Sequence, residues 1–319
     1  MKNAFTFYPF SQIIRKFMLL SIFLIGGCSK TTVIIDPSGG GNDNDGNTSG
    51  GNLVTFHASV ESLNLTKSMT PIQTGIQAAL YAYNVSTGNL TAQGNYQSAS
   101  LGTLSGIDNY QMYLPDDTYN FYGISTNASQ RPPAFNNNLS EPLSNGVDYL
   151  WWGASNETVN TPRFNIPIVF AHRAVQIVFE VNEGNGITID SLVAITTIAP
   201  EEGARMNLLT GVIPPATDNQ TGFVNSMGIN GMIAQSILLP ITNWNYMAFM
   251  LQATVNGETQ PRTFGGQVPI PNGQLQSGNS YWFKIVINAN SIETPSVGVT
   301  GWTIVDETGK PIYPGQLFP

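Results

Sequence analysis

The sequence has few of the residues that metal sites and most enzymes require. It contains one cysteine, Cys28, and two histidines, His57 and His172, in 319 residues. A single cysteine excludes an internal disulfide. A tetrahedral zinc site would need both histidines together with carboxylates, and no suitable spacing occurs. The Gly-x-Ser-x-Gly motif of many serine hydrolases is absent as well. We therefore expect neither a metal nor a cofactor.

Paired carboxylates are also poorly placed for catalysis. Glycoside hydrolysis needs two carboxyl groups that face each other across several ångströms. Here Asp116-Asp117 lies in a turn, and Glu201-Glu202 would point to opposite sides of a strand. A Ser-His-Asp triad stays open, because its members need not be close in sequence. We expect a non-enzymatic protein, with a glycoside hydrolase as the weakest alternative.

Charge is scarce too, and long hydrophobic runs are absent. Charged residues make up 10% of the chain, against about 25% in an average soluble protein. The net charge is −8, and the sequence after the first residues has no basic cluster. Since phosphate binding needs a basic patch, we expect no nucleic-acid partner. The abundant Asn, Thr, Tyr and Gly residues favour strands and turns over helices.

The N-terminus has the features of an export signal. The basic pair Arg15-Lys16 precedes an apolar run, Phe17 to Ile25, which is about half the length that a membrane-spanning helix needs. The following Leu24-Ile25-Gly26-Gly27-Cys28 resembles a bacterial lipobox. This pattern predicts a signal peptide over residues 1–27 and lipidation of Cys28, which would hold the protein at a membrane. The alternative is an ordinary secretory signal with a cysteine by chance.

Residues 28–52 have the composition of a flexible linker. They are dominated by Gly, Asn and Ser and lack a packed apolar pattern after Val33-Ile34-Ile35. The run Asp43-Asn44-Asp45-Gly46 faintly resembles a calcium loop, but it lacks the distal glutamate. The glycine run lacks the Gly-Lys-Ser/Thr of a phosphate loop. A linker explains this composition better than either alternative.

From Leu53 onwards, apolar and polar residues alternate as in β-strands. A first strand has one face formed by Val54, Phe56, Ala58 and Val60. Later in the chain, a long strand is predicted over residues 166–181. Tyr110–Leu114 and Tyr119–Ile124 flank a Pro-Asp-Asp turn and predict a hairpin, and the dipeptide Asn256-Gly257 predicts another. A boundary near residue 160 divides the chain into β-sandwich domains at 53–160 and 161–319, both of ordinary size.

Five tryptophans allow a binding function as an alternative. Exposed tryptophans stack on sugar rings, but the cores of β-sandwiches also bury large aromatic residues. We favour burial in a core or a domain interface. The tryptophans are Trp151, Trp152, Trp244, Trp282 and Trp302.

Several motifs, in order, resemble the fimbrillin-like family of Bacteroidetes surface lipoproteins. They are the lipobox; Val54-Thr55-Phe56 with Leu65-Thr66-Lys67 and Leu80-Tyr81-Ala82-Tyr83; Tyr113–Tyr122, Asp148–Gly153 and Phe170–Ala174; Met206–Gly211, Leu275–Phe283 and Trp302. The resemblance covers most of the chain after Cys28. It implies two tandem transthyretin-like β-sandwich domains and export to the outer membrane and cell surface. The implied function is that of a fimbrial (pilus) structural subunit or a cell-adhesion protein.

The resemblance also implies a mode of assembly. In polymerising members an arginine-specific protease removes the N-terminal segment, and a strand from another subunit fills the groove. This chain has no arginine between Cys28 and Arg131, so Lys67 is the candidate processing site. Residues Val297, Val299 and Ile304 are candidates for the donated strand, or else they belong to the last strand of the second domain. Expected partners are other fimbrial subunits, the outer membrane, and glycans or proteins of host or bacterial surfaces.

Two alternatives follow for the function. Without cleavage at Lys67, the protein would stay lipid-anchored as an anchor or accessory subunit. The other alternative is a surface lipoprotein that binds glycans through exposed tryptophans and does not polymerise.

Overall fold

The computed structural model describes residues 50–61, 69–216, 224–289 and 291–301. Cys28, Lys67, Trp302 and Ile304 lie outside the described residues, as do the predicted signal peptide and nearly all of the predicted linker. The described chain is all-β, as expected from the alternating sequence. Its described part contains no helix with the length and hydropathy needed to cross a bilayer.

The first half of the described chain contains eleven strands. Two short 3-10 turns, Ser100–Gly102 and Ile107–Asn109, flank the fifth strand. The strands are β1 (Asn52–Glu61), β2 (Met69–Pro71), β3 (Gln77–Asn84), β4 (Leu90–Ser98), β5 (Thr103–Gly106), β6 (Met112–Leu114), β7 (Asp117–Ser125), β8 (Phe135–Asn136), β9 (Leu139–Ser140), β10 (Leu150–Val159) and β11 (Arg163–His172).

The second half contains another eleven strands. A third 3-10 turn spans Pro271–Gly273. The strands are β12 (Val175–Glu183), β13 (Ile189–Ile198), β14 (Val224–Ser226), β15 (Gly228–Asn230), β16 (Ile233–Leu238), β17 (Ile241–Thr242), β18 (Tyr246–Val255), β19 (Arg262–Pro269), β20 (Gln274–Leu275), β21 (Asn279–Asn288) and β22 (Ser291–Gly301).

The first half folds into one sheet that closes on itself. Its order is β11-β10-β7-β3-β4-β5-β1-β2, with β6 also paired to β1. A parallel pairing of β1 with β11 joins the two ends, so the sheet is barrel-like. Alternating side chains point inwards and form what we call the barrel cluster. It includes Val54, Phe56, Ala58, Val60, Leu80, Tyr96, Phe121, Leu150, Ile166, Ile168 and Phe170.

The second half forms two main sheets over a common core. The five-stranded sheet has the order β15-β16-β12-β21-β22, and the four-stranded sheet has the order β14-β13-β18-β19. Side chains from both sheets meet in a single two-sheet cluster, which is the arrangement of a sandwich. This cluster includes Val175, Ile177, Phe179, Val181, Ile195, Phe249, Leu251, Tyr281, Phe283 and Ile285.

A third group of apolar residues joins the two halves, and we call it the junction cluster. It combines residues of β3 and β7 with residues of the loops before β10, before β12, after β13 and after β16. Its members are Ala79, Tyr81, Ile124, Leu143, Tyr149, Ala174, Met206, Leu208, Ile213 and Leu239. The halves are therefore connected by packed side chains as well as by the polypeptide.

The long strand predicted over 166–181 is two strands, and this prediction was wrong. β11 ends at His172 and belongs to the barrel sheet, whereas β12 begins at Val175 and belongs to the five-stranded sheet. The break occurs at Arg173, whose N–H donates to the carbonyl of Tyr149 at 2.7 Å. The chain crosses here from the barrel cluster to the two-sheet cluster. The set of alternating residues that faces a core therefore differs before and after Arg173.

Strand β11 also falls on the other side of the expected domain boundary near residue 160. It pairs with β1 in parallel and with β10, and its Ile166, Ile168 and Phe170 belong to the barrel cluster. The compact first half therefore continues to His172.

The hairpin predicted around Asp116-Asp117 was wrong as well. β6 pairs with β1, whereas β7 pairs with β3 and β10. The turn sends the chain across the barrel rather than back along itself, because β6 lies beside β1 on the far side of the closed sheet. By contrast, the hairpin predicted at Asn256-Gly257 is confirmed, since β18 and β19 pair antiparallel across that turn.

Tyr96 supports a prediction about stability. Its ring packs edge-to-face on Phe56, with centroids 5.3 Å apart, and its hydroxyl is buried without a hydrogen-bond partner among the described residues. Because an unpaired buried hydroxyl costs free energy, Tyr96→Phe should raise the free energy of unfolding by about 1 kcal/mol. Denaturant unfolding at pH 7 measures this change, and a loss of stability would contradict it.

The same substitution should alter the response to alkali. Burial raises the pKa of the Tyr96 phenol far above its usual value, with a further contribution from Tyr110. The folded protein therefore keeps the proton at a pH where the unfolded chain loses it. The ionisation of Tyr96 therefore does not affect the free energy of unfolding below about pH 10, the ordinary tyrosine pKa. Above that pH the free energy of unfolding falls as the pH rises. Tyr96→Phe should make this alkaline loss less steep.

Candidate functional site

Strand β1 is the candidate assembly element, because it completes the barrel sheet. It pairs in parallel with β11 over eight positions, from Leu53 opposite Arg163 to Val60 opposite Phe170. Its other edge pairs antiparallel with β6, β5 and β2 in succession. Loss of β1 would thus leave backbone groups without partners on both sides of a gap.

The inner face of β1 fills part of the barrel cluster. Val54, Phe56, Ala58 and Val60 are buried, and Phe56 is only 1% exposed. The Phe56 ring packs edge-to-face against Phe121, with centroids 6.3 Å apart. Removal of the strand would therefore open an apolar groove whose floor includes Phe121 and Tyr96.

The side chains on the outer face of β1 make few contacts that hold the strand in the barrel sheet. Thr55 and His57 are exposed, and the Thr55 hydroxyl donates to Asn165 Oδ1 at 3.2 Å. At the start of the strand, the Asn52 amide donates to Asp116 Oδ1 at 2.6 Å. The strand is held by backbone pairing and by its apolar face, and both of these features can be reproduced by a different strand of similar pattern.

The candidate donor residues lie in or beyond the last described strand. Val297 and Val299 belong to β22, where they pair with Phe283 and Tyr281 of β21. Among the described strands, β22 pairs with β21 alone and so forms an edge of the five-stranded sheet. The structure therefore places Val297 and Val299 in a sheet of their own chain. Ile304, Lys67 and Cys28 are outside the described residues.

The junction between the two halves contains a buried pair of hydrogen-bonded side chains, His172 and Asp148. His172 Nδ1 lies 2.7 Å from Asp148 Oδ1, and Asp148 Oδ2 accepts a hydrogen bond from the Asn127 amide at 2.9 Å. His172 is the last residue of β11, and this contact joins it to the loop that precedes β10. His57 is exposed, so the two histidines are not combined in one site.

Trp151 and Gly211 form a second feature of the junction. The indole N–H of Trp151 donates to the Leu208 carbonyl at 2.7 Å, and the Arg173 guanidinium lies 4.7 Å from the ring centroid. Gly211 has a φ of +67° and lies so close that a Cβ atom there would overlap the indole. The sequence motif Met206–Gly211 was noted, but its packing partner was not predictable from local pattern.

The described tryptophans do not form an exposed sugar-binding surface. Trp152, Trp244 and Trp282 are buried, and Trp151 is half-buried in the junction. Trp302 lies outside the described residues. Burial in a core is confirmed for Trp152 and Trp244, which belong to the barrel cluster and the two-sheet cluster.

Members of both acidic pairs accept hydrogen bonds from neighbouring groups. Asp117 accepts hydrogen bonds from Asn84 and from the Thr118 N–H, and these bonds lower the pKa of its carboxyl group. Glu202 accepts a hydrogen bond from the Asn145 N–H in a loop. Within the described ranges, no group of three or more His, Asp or Glu side chains is placed to hold a metal ion.

Comparison with known protein families gives a match over most of the chain. A family model described as fimbrillin-like matches residues 66–302. The chain belongs to the fimbrillin-like family. Fimbrillin-like proteins are structural components of fimbriae and adhesins rather than enzymes, and their location is the cell surface. Association with other fimbrial subunits follows from the same membership.

Solved structures show the same fold. A proposed cell adhesion protein from Bacteroides ovatus is 14% identical, with a TM-score of 0.62, over 80% of this fimbrillin-like chain and 99% of the other. A similar protein from Bacteroides uniformis is 17% identical, with a TM-score of 0.57, over 79% and 98% of the two chains. At these identities the similarity extends to the fold alone. No curated protein sequence matches the chain significantly.

Proposed function

We propose that this fimbrillin-like protein is a fimbrial subunit that exchanges its first strand for a strand of another subunit. The observation that carries the proposal is the position of β1, which is N-terminal, apolar on its inner face and buried in the barrel cluster. It precedes Lys67, the only basic residue between Lys30 and Arg131. One peptide-bond cleavage after Lys67 would separate β1 from the rest of the barrel.

The proposed domain organisation is two transthyretin-like β-sandwich domains in tandem. The first would extend to His172 rather than to residue 160, since β11 pairs with β1 and β10. The second would begin at β12 and contain the two-sheet cluster. Export as a lipoprotein through Cys28 to the outer membrane would bring the folded subunit to the surface before cleavage.

The C-terminal part of the chain is the proposed donor, with Val297, Val299 and Ile304 as its pocket-filling residues. Its support is that β22 is an edge strand with a single described neighbour. Val297 and Val299 are two positions apart and would fill successive sites on one face. Ile304 is an odd number of positions from Val299, so in a regular strand its side chain would be on the opposite face. A β-bulge between them would bring it to the same face as Val297 and Val299. The prolines at 311, 314 and 319 limit pairing beyond this point.

Lys67→Gln tests the proposal in cells that carry the lipoprotein and fimbrial export machinery. The wild-type protein should give detergent-resistant ladders of high mass, whereas Lys67→Gln should remain a monomer at the membrane. Lys30→Gln, which alters the other lysine between Cys28 and Arg131, should assemble as the wild type does. Normal ladders from Lys67→Gln would show that cleavage at this position is not required.

A further inference from the structure

Part of the outer face of the five-stranded sheet is buried. In β12, Ile177 and Phe179 belong to the two-sheet cluster, so Val178 between them points to the other side of the sheet. In β21, Tyr281 and Phe283 belong to the same cluster, so Trp282 also points outwards. Val178 and Trp282 are register partners in the parallel pair of β12 and β21. They therefore lie side by side on the face away from the four-stranded sheet.

These outward side chains are as buried as core residues. Val178 is 1% exposed, Ser280 is 2% exposed and Trp282 is 9% exposed. Among the described residues, Val178 is a member of none of the three apolar clusters. The sheet's own core lies on the opposite side and does not account for this burial. Groups outside the two-sheet cluster therefore bury these outward side chains, which we define as the outer patch: Gln176, Val178, Ser280 and Trp282.

Two hydrogen bonds pair polar groups of the outer patch within the sheet itself. The Trp282 indole N–H donates to Glu180 Oε2 at 2.8 Å, and the Ser280 hydroxyl donates to Gln176 Oε1 at 2.8 Å. What remains to be covered is the apolar surface of Val178 and of the Trp282 ring. Apolar side chains are the complement of such a surface, and their burial there is favourable.

We propose that residues 302–319 of the same chain dock across the outer patch. In β22, Gly301 pairs with Asn279, which directly precedes Ser280, so the described chain ends beside the patch. At about 3.3 Å per residue, roughly six extended residues cover 20 Å, which is ample to cross three strands. The apolar residues available for this contact are Trp302, Ile304, Val305, Ile312, Tyr313, Leu317 and Phe318.

The prolines of this segment favour a position across the face over one at the edge. Pro311, Pro314 and Pro319 have no N–H group to donate to a neighbouring strand. Packing through side chains across a sheet needs no such ladder of hydrogen bonds. The segment thus combines a composition that suits apolar packing with a backbone that is poorly suited to extending the sheet.

Continuity of the chain makes this segment the best-placed occupant. It follows the sheet's own edge strand, which gives it a high effective concentration at the patch. Residues 217–223, by comparison, rejoin the described chain at Val224, which pairs with Ile198 in the four-stranded sheet. The N-terminal residues precede β1 in the barrel sheet. Neither segment begins or ends beside the outer patch.

This inference rests on the burial of the outer patch and not on the proposed assembly. It adds a consequence to that assembly, however. A C-terminal segment that leaves to enter another subunit would expose Val178 and Trp282, and exposed apolar patches promote association. The docked segment would then keep the unassembled subunit covered.

Thiol labelling tests the proposal directly in a full-length Cys28→Ser background. Ser280→Cys should react with a water-soluble thiol reagent at least about tenfold more slowly in the full chain than in a chain truncated after Gly301, because the docked segment must open first. Met250→Cys is the control, since Met250 is 56% exposed on the four-stranded sheet. It should react equally fast in both chains. Equal reactivity of Ser280→Cys in the two chains would overturn the proposal.

A second experiment avoids truncation altogether. Lys284 is exposed and has the same parity as Trp282, so Lys284→Cys can carry a photo-crosslinking group at the margin of the outer patch. After irradiation of the full-length monomer, mass spectrometry should locate the crosslink within residues 302–319 of the same chain. A crosslink to any other segment would contradict the proposed occupant.

Discussion

Replacing Phe56 with alanine should lower the free energy of unfolding of the uncut protein by about 3–5 kcal/mol. Phe56 is 1% exposed and packs against both Tyr96 and Phe121, so its loss leaves a cavity in the barrel cluster. In the assembled fimbria the same substitution should have no effect, because β1 would already have been removed. Denaturant unfolding of the uncut protein and heat dissociation of the polymer measure the two states.

Phe121→Ala is the matched control for this prediction. Phe121 lies in β7, is fully buried and touches Phe56, but it stays in the barrel after cleavage at Lys67. It should destabilise both the uncut protein and the assembled form. A polymer that Phe56→Ala weakens as much as Phe121→Ala would contradict the loss of β1.

Replacing Gly211 with alanine should cost about 2–4 kcal/mol, the second large effect. Its φ of +67° is unfavourable for a residue with a side chain, and the added Cβ would overlap the Trp151 indole. Trp151 would have to leave its position beside Leu208 and Arg173, which loosens the junction cluster. Denaturant unfolding measures the cost, and a change in intrinsic tryptophan fluorescence reports the displaced indole.

Gly257→Ala separates the two causes. Gly257 has a similar φ of +70°, but a Cβ there meets nothing within 4 Å. This control should cost only about 1–2 kcal/mol, from the backbone alone, and should leave the fluorescence unchanged. Equal costs at the two positions would show that packing on Trp151 contributes nothing to the junction.

Local alternation in the sequence predicted individual strands better than their partners. The pattern of Val54 to Val60 identified β1, and Asn256-Gly257 identified the hairpin of β18 and β19. Parallel pairing of β1 with β11 joins residues more than a hundred positions apart. Nothing in the alternation of either strand specifies such a partner, and the expected boundary near residue 160 therefore separated them.

The break between β11 and β12 did leave a signal in the sequence. Buried residues of β11 have even numbers, such as Ile166 and Phe170, whereas those of the two-sheet cluster in β12 have odd numbers, such as Val175 and Ile177. This change of phase marks a strand end, because one uninterrupted strand keeps its buried residues in register. The strongly apolar character of both stretches masks this change of phase.

The candidate site was only partly accessible from the sequence. Alternation identified the apolar face of β1, and composition identified Lys67 as the only basic residue in its neighbourhood. That β1 closes the barrel is known only from its pairing with β11 in the structure. The contacts of Gly211 with Trp151 and the burial of Val178 likewise depend on chain segments that are distant in sequence.

The intact mass of the protein recovered from assembled fimbriae tests strand exchange most directly. Cleavage after Lys67 predicts a polypeptide that begins at Ser68 and lacks β1. A polypeptide that begins at an acylated Cys28 within the fimbriae would contradict the account, since β1 would then still occupy its place in the barrel.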